Sequence, residues 1–173
     1  QIERHITPKT KAIIPVHLLG LPATMGPVME IAKKYRLAII EDSCETMFAN
    51  YKGQSVGSMG DIGTFSTYVA HFLVTGVGGL ATTNNPDLAR DMRSLMNHGR
   101  DNIYISCSDD QNVDAETLQE IIAKRFAFEK VGHSFRCTEM EAALGIGQLE
   151  KVDFILKRRR EIADRFSNGL KEL

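Results

Sequence analysis

Asp42, Glu45, Ser66 and His71, with His17 upstream, are the residues whose types and spacing lend themselves to chemistry in this chain. Asp42 and Glu45 sit in Ile40-Glu41-Asp42-Ser43-Cys44-Glu45 and supply carboxylates able to hold a cation or a proton. Ser66 and His71 lie in the stretch GTFSTYVAHFLVTGVGGLATT, where a hydroxyl can donate to an anion and an imidazole can take up and release protons near neutral pH. Each has an ordinary structural explanation when taken singly. An aspartate after a strand caps a helix, the Gly76-Val77-Gly78-Gly79 run makes a turn, and a lone histidine is packed or hydrogen-bonded. What sets them apart is that they recur at one kind of place in the fold.

Alternating strand and helix signals supply that place. Residues 11–16 form a short apolar run, Met25 to Tyr35 carries Val28, Met29, Ile31, Ala32 and Tyr35 at helical spacing, and residues 37–40 form a second buried-type strand. Such a βαβ unit predicts a parallel sheet in an α/β fold. A third strand is expected over 61–68 and a fourth over 79–83, followed by a helix capped by Asn84-Asn85-Pro86-Asp87 and running to about Asn97. Residues 106–117 read as a polar surface loop. Thr138, with Glu141 three positions on, opens a helix to about Gln148, and a charged helix continues to Leu173. In open α/β sheets ligands collect at the carboxyl ends of the strands, which is where His17, Asp42, Glu45, Ser66 and His71 fall.

Composition narrows the function classes. The chain of 173 residues is 43% hydrophobic and 25% charged with a net charge of −1, the profile of an ordinary globular protein. No basic footprint for nucleic acid or an anionic membrane is visible, and Lys157-Arg158-Arg159-Arg160 reads as a solvated helix face. Cys44, Cys107 and Cys137 are widely spaced, fitting reduced cytoplasmic thiols and offering no metal or iron–sulfur spacing. No apolar stretch is long enough for a membrane span. A start at Gln1 and a stop at Leu173 within a helical pattern read as a fragment.

Several segments in order resemble the DegT/StrS family of pyridoxal-phosphate-dependent sugar aminotransferases. They are ITPKTKAIIPVHLLG, LAIIEDSCE, GDIGTFSTYVAH, GVGGLATTNNPDLARDMRSLMNHGR and HSFRCTEMEAALGIGQLEKVD, which together cover nearly the whole chain. The resemblance implies an α/β fold with a mostly parallel sheet flanked by helices, the central part of the large domain of a fold-type-I aminotransferase. Residues 1–173 would be part of that domain, without its N-terminal portion and without the C-terminal small domain. It also implies a pyridoxal 5′-phosphate or pyridoxamine 5′-phosphate cofactor, a nucleotide-sugar substrate and a homodimer. By the same carry-over, Asp42 would pair with the pyridine nitrogen and Glu45 would sit over the ring near its hydroxyl. Ser66 would donate to the phosphate, and Ser134, where the family commonly has Asn, would face the neighbouring subunit. Arg136 matches a frequent arginine with a structural ion-pair role, and His17 is a possible site-lining residue.

His71 stands where the resemblance calls for the lysine that holds the cofactor covalently, and no lysine occurs between Lys52 and Lys124. An imidazole cannot replace a primary amine in that bond, but it can carry protons. A branch of the family, the 3-dehydratases of nucleotide-linked 4-keto-6-deoxyhexoses, has histidine here together with glutamate at the position of Glu45. The resemblance therefore implies a dehydratase with His71 as base. A divergent aminotransferase or an inactive relative remains the other reading.

Overall fold

The computed structural model describes residues 1–100 and 111–171. A turn of 3-10 helix, Ile2–His5, leads into β1 (Ala12–Ile13), α1 (Met25–Tyr35), β2 (Ala38–Asp42) and a small hairpin of β3 (Asn50–Tyr51) and β4 (Gln54–Ser55). Then follow β5 (Ile62–Ser66), β6 (Gly79–Thr82), α2 (Pro86–Met96), α3 (Ala115–Lys124), α4 (Glu139–Leu149) and α5 (Val152–Gly169). The main sheet has the order β1-β2-β5-β6, with the first three strands parallel and β6 antiparallel to β5.

The expected βαβ unit forms because α1 has one apolar stripe and β2 one apolar face. Met25, Val28 and Ala32 pack on Ile39, joined by Ile13, Leu37 and Met59. Arg36 then ends the helix in the left-handed conformation, φ 53°, and its N–H bonds back to the carbonyls of Ala32 and Lys33. Asn85 caps α2 as its sequence predicts, its Oδ1 accepting from the Asp87 and Leu88 amides at 2.9 and 3.3 Å.

Differences from expectation have local causes. The first strand stops at Ile13 instead of continuing to residue 16, because Pro15 has no N–H to give a ladder. Its carbonyl still accepts from Asp42 N at 2.9 Å, and Val16 makes an isolated parallel bridge to Asp42. The hairpin is absent from the sequence reading; it turns at Lys52 and Gly53, both at positive φ (50° and 84°) as a tight two-residue connection requires. The expected loop over 106–117 gives way to α3 at Ala115, capped by Asp114 through its Oδ1 and the Thr117 amide at 2.8 Å. Residues 106–110 of that expected loop, Cys107 among them, lie outside the described residues.

Candidate functional site

β2 alternates its side chains, so Ile39 and Glu41 share the α1 face while Asp42 takes the other. Asp42 is in register with Thr64 of the parallel β5, and residues in register on parallel strands face the same way. Ser66, two positions beyond Thr64, therefore lies on the Asp42 face at the carboxyl end of the sheet. Asp42 Oδ1 accepts from the Cys44 amide at 3.2 Å, and Ser66 Oγ accepts from the Tyr68 amide at 3.2 Å. Each keeps capacity to spare, Asp42 a second carboxylate oxygen and Ser66 its hydroxyl proton. Burial pushes the Cys44 thiol up to about 11, with the neighbouring Asp42 carboxylate adding to the effect.

Beyond Ser66 the chain makes a loop, residues 67–78, before returning as β6. Thr67 and Thr75 close it through a hydroxyl pair at 2.7 Å, and Thr75 Oγ1 also donates to the Val77 carbonyl at 2.8 Å. His71 sits at the far side of this loop, its N–H bonded to Tyr68 O at 2.9 Å. The half-buried His71 ring makes no hydrogen bond among the described residues. Phe72 meets Phe48 edge to face, centroids 5.3 Å apart, which docks the His71 segment against the segment that follows β2.

That docking encloses a cleft of about 720 Å³ with Glu45, Phe48, His71 and Phe72 on one side and Arg159 and Arg160 of α5 on the other. Glu45 Oε2 accepts the Leu19 amide at 2.9 Å, and Glu45 O accepts Gly20 N at 3.1 Å. This carboxylate thus fixes the tight Leu18–Leu21 turn, where Leu19 and Gly20 both have positive φ, at the edge of the cleft.

Glu45 and His71 are therefore brought to one cleft. Asp42 and Ser66 lie on the adjoining strand ends and are not among the residues that line it. Ser134 is exposed and pairs with Asn97 in an antiparallel bridge, also outside the cleft lining. The Arg136 guanidinium reaches His98 Nε2 at 3.5 Å, with no carboxylate partner among the described residues.

His17 is not a cleft residue. It is fully buried, its Nδ1 accepting the Ala23 amide at 2.9 Å and its Nε2 meeting Glu41 Oε2 at 3.0 Å. Since Nδ1 accepts, Nε2 carries the proton and donates to Glu41. Glu41, likewise fully buried, also accepts from the amides of Gly57 (2.9 Å), Met59 (2.7 Å) and Gly60 (2.6 Å). The pair ties the loop after β1, strand β2 and the turn after β4 into one unit directly behind Asp42. The only sequence signal was a glutamate where a parallel strand normally carries an apolar residue. The run Lys157-Arg158-Arg159-Arg160 is exposed throughout, as expected of a solvated helix face; Arg158 bonds Glu161 at 2.8 Å, and Arg159 and Arg160 also border the cleft.

This donor set fits pyridoxal phosphate. A carboxylate with a free oxygen suits a protonated ring nitrogen, a hydroxyl with a free proton suits a phosphate, and both lie on one face of the sheet at its ligand-binding edge.

Comparison with known proteins agrees with this reading. GDP-perosamine synthase of Caulobacter vibrioides is 38% identical over 173 residues, all of this chain and 41% of that protein. The dTDP-4-dehydro-2,6-dideoxy-D-glucose 3-dehydratase of Saccharopolyspora spinosa is 33% identical over 178 residues, covering all of this chain and 38% of its own length. Among solved structures, a mutant of GDP-4-keto-6-deoxymannose-3-dehydratase (ColD) with bound GDP-perosamine superposes with a TM-score of 0.80 at 28% identity. That match covers 99% of this chain and 44% of the other. The chain thus spans about two fifths of the length of the curated relatives it matches. With the profile of the DegT/DnrJ/EryC1/StrS aminotransferase family matching residues 1–173, this chain belongs to that pyridoxal-phosphate-dependent family.

Proposed function

We propose that this chain is part of the cofactor-binding large domain of a nucleotide-sugar 3-dehydratase acting on a 4-keto-6-deoxyhexose. The observation that carries this reading is His71, an imidazole with no hydrogen bond among the described residues, in the cleft with Glu45 and in a stretch with no lysine to bond the cofactor covalently. When bound, the cofactor supplies an amine for the sugar ketone and a ring that withdraws electrons from the reacting carbon. Asp42 holds the ring nitrogen protonated and Ser66 donates to the phosphate. His71 would serve as the acid–base group between cofactor and sugar, and the proton it carries would let the sugar 3-hydroxyl leave as water. Glu45 stands beside it, held in place by the Leu19 amide.

We further read the working form as a homodimer. The segment from Phe126 to Met140 exposes Phe126, Val131, Phe135 and Met140, a face that a second copy would cover while bringing Ser134 near the site. A monomer in sedimentation that binds cofactor fully would dispose of this reading.

The test is chemical. Purified protein given pyridoxal phosphate and then borohydride should carry no covalent adduct, and should convert a 4-keto-6-deoxy nucleotide sugar to a 3-deoxy product. His71→Asn should keep pyridoxamine-phosphate binding while dehydration falls by roughly 100- to 10,000-fold, the usual contribution of a positioned acid–base group. An aminotransferase is the second reading, supported by the 38% identity to a perosamine synthase. A reducible adduct, or amino sugar accumulating without 3-deoxy product, would establish it instead.

A further inference from the structure

Helix α5 turns a stripe of Leu156, Arg159, Arg160 and Ala163 toward the cleft, the i, i+3, i+4, i+7 spacing of a single helix face. The stripe is exposed apart from the half-buried Leu156. Here two guanidinium groups occupy it, and neither has a carboxylate partner among the described residues, although Arg158 beside them is paired with Glu161. Arg159 lies over the Phe72 ring, 5.2 Å from its centroid, and Phe72 is in turn braced by Phe48. This stack favours a position of the exposed guanidinium beside the cleft wall. Among the described residues Glu45 is the one acidic residue in the lining, and its carboxylate is engaged by the Leu19 amide. The cleft therefore presents two positive charges against one negative, next to the imidazole of His71.

We infer that Arg159 and Arg160 bind the diphosphate of the nucleotide-linked substrate, and so set where the sugar lies relative to His71. Arginine forks match phosphate oxygens in pairs, and two adjacent forks match two linked phosphates better than a single carboxylate or monophosphate. The cofactor's own phosphate is met at Ser66, which is not part of this lining. A cleft of about 720 Å³ also has the capacity of a small-molecule site. The inference rests on the nucleotide-sugar reading above, though not on whether the reaction is dehydration or transamination.

Calorimetric titration of the purified protein, loaded with pyridoxamine phosphate, with inorganic pyrophosphate, GDP and dTDP tests it. The wild type should bind pyrophosphate and at least one nucleotide. Arg159→Ala and Arg160→Ala should each weaken that binding by about 10- to 100-fold, the loss expected for a charged hydrogen bond, while pyridoxamine-phosphate affinity stays constant. Arg160→Lys, which keeps the charge but not the fork, should fall between. Diphosphate binding that both alanine variants leave unchanged would overturn the inference alone, and so would a loss of cofactor affinity in place of diphosphate affinity. Wild-type protein that binds none of the three would overturn it together with the nucleotide-sugar substrate class.

Discussion

Replacing Glu41 by Gln tests whether the buried His17–Glu41 unit supports the strand that carries Asp42. The change is nearly isosteric, so no cavity opens and the packing of β2 on α1 is kept. What changes is the count of acceptors. Oε1 receives the Met59 and Gly60 amides at 2.7 and 2.6 Å, and Oε2 receives Gly57 N and His17 Nε2 at 2.9 and 3.0 Å. A glutamine can place its oxygen on one pair only, and its NH₂ then confronts two donors. His17 cannot relieve the conflict by moving its proton to Nδ1, because Nδ1 already accepts the Ala23 amide. Two buried donors lose their partner at about 1–3 kcal/mol each, so the variant should lose about 2–6 kcal/mol of stability. Against a typical total of about 5–15 kcal/mol this is a large fraction. Urea unfolding followed by circular dichroism measures it, with a lowered midpoint and an unchanged slope expected. A loss below about 0.5 kcal/mol, the range of an ordinary surface substitution, would refute the reasoning.

Two further outcomes follow from the same geometry. A Cβ on Gly63 would run into the backbone of Gly57, which cannot retreat without breaking the hydrogen bond its N–H donates to Glu41, so Gly63→Ala should cost at least about 1–3 kcal/mol in the same unfolding assay; an unaffected midpoint would contradict this. Cys44, raised from 9.0 to about 11, should react with iodoacetamide at pH 8 roughly 100-fold more slowly than an unperturbed thiol, because its thiolate fraction is that much smaller. Since the folded state favours the protonated thiol, the associated stability is fully present below pH 9.0 and is lost as pH rises toward 11. Peptide mapping that finds Cys44 alkylated as fast as a free thiol would count against both statements.

The βαβ unit, the capped α2 and the placement of Asp42 and Ser66 at strand ends were legible in the sequence, because hydrophobic period and capping residues report local structure directly. Antiparallel β6 was not, since Gly79–Thr82 reads as a strand whichever way it pairs. The β3–β4 hairpin has two-residue strands, too short for any alternation to show. His17 was misplaced for a different reason. A histidine after a strand looks the same whether it faces the cleft or a buried glutamate, and only the contact across 24 positions tells them apart. The arginines of α5 are exposed as expected, but a basic run does not reveal which of its members share a face with Leu156 and Ala163 and so border the cleft.

The loop bearing His71 is closed by groups other than His71. Backbone pairing of Ser66 with Gly79, the hydroxyl bond of Thr67 with Thr75 and the Phe48–Phe72 contact fix its course, while the imidazole contributes no hydrogen bond among the described residues. Scaffold and reagent are thus separable here, and the side chain at this position can be exchanged without renegotiating the path of the chain. A substitution at His71 therefore probes the chemistry of this position apart from the folding of the loop that carries it.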